Sequence, residues 1–162
     1  MHNLKSLNTA FALTLIGILA LSACDFFEQP DRTYTDDPKL EFKPLTQTAD
    51  EGAGTVTTEA QLIGPQRDSD LPVNFVVDDS SSADAGEQYT LGSTSATIPA
   101  GESDADVTID VLDNDIDDGD TNYILYLTLQ ASEGVEPAVN LKTYTLTIRG
   151  TDEEDDGGSG GS

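Results

Sequence analysis

The chain has 162 residues, of which 31 are acidic and 7 basic, for a formal charge of -24 with its single histidine neutral. That balance excludes nucleic acid as a partner, because binding it depends on Lys and Arg neutralising phosphates, and it disfavours electrostatic attachment to anionic lipid. The only histidine is His2, the only cysteine is Cys24 and tryptophan is absent, so residues 25–162 can hold neither a His or Cys metal centre nor a Ser-His-Asp or Cys-His machine. No enzymatic role is expected.

In chain order, residues 10–23 form an apolar run interrupted only by Thr14 and Ser22 and preceded by His2 and Lys5. This reads as a signal peptide, too short for a permanent membrane span. Its last residues and the one after them, Leu21-Ser22-Ala23-Cys24, resemble the lipobox of bacterial lipoproteins. In that family the cysteine sulfur receives a diacylglycerol, the chain is cut before it and the new amine is acylated. The resemblance implies removal of residues 1–23, a mature chain of 139 residues starting at Cys24, and stable anchoring through several acyl chains. The membrane is then a partner through Cys24, and the location is the cell envelope, at the outer membrane or cell surface in preference to the inner membrane. Asp25 resembles an inner-membrane retention signal in some lineages, and acidic residues near the cysteine resemble a surface-export signal in others. Residues 24–38 mix Pro, Asp and Thr with Phe26 and Phe27 without a period, as suits a tether.

Every patterned segment beyond the tether predicts a strand. Seven are expected, at 40–42, 56–62, 73–77, 95–98, 107–112, 123–129 and 141–148, here lettered A to G, all rich in β-branched and aromatic residues with Gly, Pro, Asp, Asn and Ser between them. Residues 39–151 are therefore expected to form one immunoglobulin-like antiparallel β-sandwich, an all-β fold held by packing, since no intramolecular disulfide is possible. Residues 152–162, five acids followed by a Gly/Ser run, contain nothing apolar and are expected to be a disordered tail.

If consecutive strands run up and down, the A–B, C–D and E–F connections and the exit after G share one pole. Those stretches hold sixteen of the 31 acidic residues: Asp50 and Glu51; Asp78, Asp79, Asp84 and Glu87; Asp113, Asp115, Asp117, Asp118 and Asp120; and 152–156. Crowded carboxylates destabilise a fold unless something compensates them, and calcium, which takes six to eight oxygens in flexible geometry, is suited to the task. A salt-rich habitat or simple solubility charge would produce the same composition.

The strands and loops together resemble the Calx-beta domain, a calcium-binding sandwich, over roughly residues 40–152. The likeness rests on Asp50-Glu51-Gly52-Ala53-Gly54, on Ile98-Pro99-Ala100-Gly101-Glu102, on strand 107–112 followed by Asp113-Asn114-Asp115, and on Thr145-Leu146-Thr147-Ile148. It implies calcium as the cofactor, with Glu51, Glu87, Asp113, Asp115, Asp118 and Asp152 as ligands. Three elements depart from the family pattern. Gln88 precedes Tyr89 where aspartate is typical, Asp118 and Asp120 replace glutamates, and Arg149-Gly150-Thr151-Asp152 replaces paired aspartates. The resulting expectation is a membrane-anchored lipoprotein displaying a calcium-binding sandwich, in adhesion or envelope assembly, with a protein partner at the cell surface. The alternative is a structural or interaction sandwich of a halophilic bacterium with no specific ion site. Labelled palmitate fed to expressing cells should enter the protein at Cys24, and a chain that takes up no label has no lipid anchor.

Overall fold

The structure, a computed structural model, describes residues 34–113 and 122–151. Every regular element among them is a strand. In chain order these are β1 (Lys39–Lys43), β2 (Thr46–Asp50), β3 (Gly54–Ile63), β4 (Leu71–Val77), β5 (Tyr89–Leu91), β6 (Ser95–Ile98), β7 (Asp104–Val111), β8 (Asn122–Leu129), β9 (Glu136–Pro137) and β10 (Thr143–Arg149). They make two five-stranded sheets, ordered β5-β7-β3-β1-β9 and β2-β10-β8-β4-β6.

Alternation decides which side chains go inside. In β7, Val107, Ile109 and Val111 are buried, while Asp104, Asp106, Thr108 and Asp110 face out. Leu125, Leu127 and Leu129 of β8 and Tyr144, Leu146 and Ile148 of β10 supply the opposing layer. Phe42, on β1 of the first sheet, meets two rings of the second, with its centroid 6.2 Å from Phe75 at 68° and 5.9 Å from Tyr144 at 52°. Among the described residues no buried side-chain nitrogen or oxygen lacks a hydrogen-bond partner.

The β-sandwich expected from the sequence is present, with ten strands where seven were expected. Strand A is β1, and β2 is a further strand within the expected A–B connection. After Lys43 the chain turns at Pro44, whose peptide bond is cis, and leaves the first sheet for the second. Buried Thr58 marks the junction, donating its hydroxyl to the Pro44 carbonyl at 3.0 Å. Thus β1 runs antiparallel to β3, whereas β2 runs parallel to β10 with Thr46 opposite Thr145 and Asp50 opposite Arg149. The stretch Thr46–Asp50 has no large apolar residue, so its pattern carries no strand signal. Three-residue β5 and two-residue β9 are equally silent in the sequence; β5 extends the first sheet by pairing with β7 before the chain crosses to β6.

The two outer faces differ in charge. On the first sheet they carry Lys39, Glu41, Lys43, Glu59, Asp104, Asp106, Asp110 and Glu136. On the second sheet threonines dominate: Thr46 and Thr48, Thr143, Thr145 and Thr147, and Thr128. They surround Ile124 and Tyr126, and the charged members of that face, Asp50 and Arg149, pair with each other.

Tyr144 is a fully buried side chain with a polar end, and its hydroxyl donates to Gln47 Oε1 at 2.8 Å. Tyr144→Phe should cost about 1 kcal/mol of stability, readable as a lower urea midpoint. Burial also pushes the Tyr144 phenol well above its ordinary range. The folded state therefore keeps the proton while the unfolded chain begins to lose it near pH ~10. Stability is fully present below that pH and falls above it, and a urea series between pH ~9 and ~11 should show a flatter decline for Tyr144→Phe than for the native chain.

Candidate functional site

The topology sends four segments to one end of the sandwich, and backbone hydrogen bonds tie them together. The Glu51 N–H donates to the Arg149 carbonyl at 2.8 Å, joining the β2–β3 turn to the chain leaving β10. The Gly52 N–H donates to the Leu112 carbonyl at 3.0 Å, and the Leu112 N–H in turn donates to the Gln88 carbonyl at 3.0 Å. The turn, the residues following β7 and the long β4–β5 connection are thereby locked in series. Glycine at 52 is favoured by the backbone, and a side chain there would be crowded. Its φ is +68°, and a Cβ there would lie 3.3 Å from the Asp113 Cβ.

This is the pole expected from the sequence, and it holds three of the predicted ligands. Glu51 sits in the turn, the exposed Asp113 packs over Gly52, and the exposed Glu87 lies in the tight turn where the Glu87 N–H donates to the Asp84 carbonyl at 3.2 Å. Predicted ligands Asp115, Asp118 and Asp152, together with Cys24, lie outside the described residues. Several of the carboxylates are engaged within the protein. Glu51 Oε1 accepts from the Thr151 N–H at 2.9 Å and from its hydroxyl at 3.1 Å. Asp50 Oδ1 accepts from Arg149 Nε at 3.0 Å and Nη2 at 2.7 Å. The Ser80 hydroxyl and N–H both donate to Asp78 Oδ1 and hold that carboxyl below its usual range.

Sequence reasoning read Gln88 only as a departure. The structure gives it a function, because its side chain is 4% exposed and its Oε1 accepts the Asp84 N–H at 2.8 Å. A neutral amide closes the 84–88 turn from inside, next to buried Tyr89, whose phenol is pushed up by burial and by the charge of Asp84. Arg149 and Thr151 were likewise missed as partners of the pole. Arg149 had a signal available, since it is the one basic residue in the four acidic stretches.

Calcium coordination sets a stricter test than convergence. Among the described residues no three His, Cys, Asp or Glu side chains stand close enough together to hold a metal ion. Glu51 and Asp113 flank Gly52, but fewer than three acids gather, so these residues do not make a calcium cage by themselves. A separate open groove of about 450 Å³ lies between β6 and β7, lined by Ala96, Thr97, Pro99, Glu102, Asp104 and Asp106 among others. None of the predicted ligands lines it.

Comparison with known proteins agrees with the sandwich. A family model described as the Calx-beta domain matches residues 34–152. The chain is similar to the crystal structure of the apo-form Calx CBD1 domain, at 23% identity and a TM-score of 0.62, over 72% of this chain and 100% of that one. It is also similar to a structure titled calcium binding domain CBD12 of CALX1.1, at 23% identity and a TM-score of 0.60, over 70% of this chain and 45% of that one. A two-domain protein of unknown function from Bacteroides fragilis gives a TM-score of 0.56 at 11% identity, over 72% of this chain and 46% of that one. The chain thus spans a whole single domain and somewhat under half of the two-domain structures. No curated protein matches it.

Gln88→Leu would keep the volume and strand the Asp84 N–H without an acceptor. A loss of about 1–3 kcal/mol is expected from that orphaned donor. Hydrogen exchange should also speed up at Asp84 and Leu112 before it does in β8 or β10.

Proposed function

The chain belongs to the Calx-beta domain family, and on that footing we propose that it works as a calcium-binding display module held at the cell envelope by acylated Cys24. The observation that carries the proposal is the joining of four acidic segments at one pole by the Glu51–Arg149, Gly52–Leu112 and Leu112–Gln88 backbone bonds. Those bonds fix where loop carboxylates project without consuming them. Glu51 and Asp113 flank the meeting point, and Asp115, Asp118, Asp152 and Glu87 are the further donors that would raise the count toward the six to eight oxygens calcium takes. The ion's contribution is neutralisation and stiffening of the pole. The module binds and has no catalytic duty, and it serves adhesion or envelope assembly through a protein partner at the surface.

Anchor and pole fit together. The chain enters β1 at the end where Arg67 pairs with Glu133 at 2.7 Å, opposite the acidic pole. A tether through residues 24–38 would hold that end toward the lipid and keep the carboxylates away from anionic headgroups.

A second reading is favoured by the internal engagement of Asp50 and Glu51 and by the neutral amide at position 88. In it the sandwich is an interaction domain of a salt-loving bacterium whose pole needs no specific ion. Thermal melts of the detergent-solubilised full chain separate the two, run with about 5 mM calcium and with chelator at one fixed high ionic strength. Calcium at roughly ten times its Kd should raise the midpoint by about 4 °C or more. Equal midpoints defeat the calcium reading, and an equal rise with magnesium or added NaCl supports the second one.

A further inference from the structure

The acidic pole contains its own cation. Across the four acidic stretches, 50–53, 78–88, 112–121 and 149–156, Arg149 is the only basic residue. It is placed there by register, since the last pair of the parallel β2–β10 ladder sets Arg149 beside Asp50 on the outer face. Its Nε and Nη2 both donate to Asp50 Oδ1, at 3.0 and 2.7 Å. Its carbonyl accepts the Glu51 N–H at 2.8 Å, and two residues on, Thr151 donates its N–H and hydroxyl to the Glu51 carboxylate. Residues 50–51 and 149–151 therefore grip each other in both directions, through side chain and backbone. The third contribution is Gln88, which closes its turn with an uncharged acceptor where a carboxylate would add to the repulsion.

We infer that Arg149 is a resident counter-cation of the acidic pole. It stands where a bound divalent ion would otherwise be needed, so the converging segments stay together in the absence of metal. The inference rests on the calcium reading only for its second consequence, which is that the guanidinium opposes a divalent ion entering the same field. Its first consequence holds without calcium. The charge on Arg149 and that on Asp50 stabilise the fold jointly and lose their value together.

The test uses Arg149→Gln, Asp50→Asn and the double substitution in the full chain, with Arg149→Lys to retain the charge. In chelator at low ionic strength, each single substitution should lower the melting midpoint by about 1–4 °C. The double should lose little more than either single, and the difference should shrink at high salt. Losses that simply add would overturn the inference. With calcium as the titrant, Arg149→Gln should bind roughly three- to tenfold more tightly than the native chain, as expected for removing one positive charge from the field of a divalent ion in a solvated site. Arg149→Lys should stay near the native value. Unchanged affinity in Arg149→Gln would also count against it. If no variant binds calcium, the calcium reading falls, and the coupling measured in chelator still decides the role of Arg149: joint losses uphold it, additive ones overturn it.

Discussion

One layer of apolar side chains between two sheets carries the stability of this sandwich. With a single cysteine in the sequence no intramolecular disulfide can staple it. The burden falls on residues such as Leu40, Ile109, Leu125, Leu127, Leu146 and Ile148, each with no exposed surface. Each buried side chain of that size contributes about 1.5–3 kcal/mol relative to exposure. The same alternation that sends these residues inward leaves every carboxylate among the described residues facing outward or in the connections. Fold and charge distribution are therefore two results of one pattern. In a chain this acidic the inward faces of the strands exclude charge, and the outward faces and the connections receive it.

How much of this is legible in the sequence depends on how long each pattern runs. Strands β3, β4, β6, β7, β8 and β10 follow from runs of β-branched and aromatic residues, and their ends shift by no more than a few residues. Strand β2 does not follow, because Thr46–Asp50 has Ala49 as its sole apolar residue and becomes a strand through the partner that β10 offers it. Tertiary pairing overrides a local signal there, as it does for β5 and β9. The pole was legible as charge placement, since up-and-down strands necessarily return the acidic connections to one end. What each carboxylate does there was not. The family resemblance assigns Glu51 to a metal, whereas the fold also hands it the Thr151 N–H, and charge counting passes over Gln88 because an amide has no charge to count.

The opposite pole shows that convergence by itself does not demand an ion. There the Gly101 N–H donates to the Arg67 carbonyl at 2.8 Å, Asp70 accepts the Ala100 N–H at 2.9 Å, and Arg67 pairs with Glu133. Three connections are knitted by ordinary hydrogen bonds and one ion pair, in a mixed-charge setting. The acidic pole uses the same kinds of bond with one basic residue among many more carboxylates. The difference between the two ends is electrostatic and not architectural. That is why the interest of the acidic end lies in how its charge is compensated.

The parallel ladder between β2 and β10 has a mechanical meaning as well. It joins a strand near the start of the sandwich to the last one, through five register pairs from Thr46–Thr145 to Asp50–Arg149. A pull along the strands, with one end of the chain held and the other drawn away, would load those pairs side by side in shear. They would have to yield together and could not peel one after another. In a domain held at its beginning and tugged from beyond its last strand, the pull reaches that ladder through β1, whose pairing with β3 shares the load.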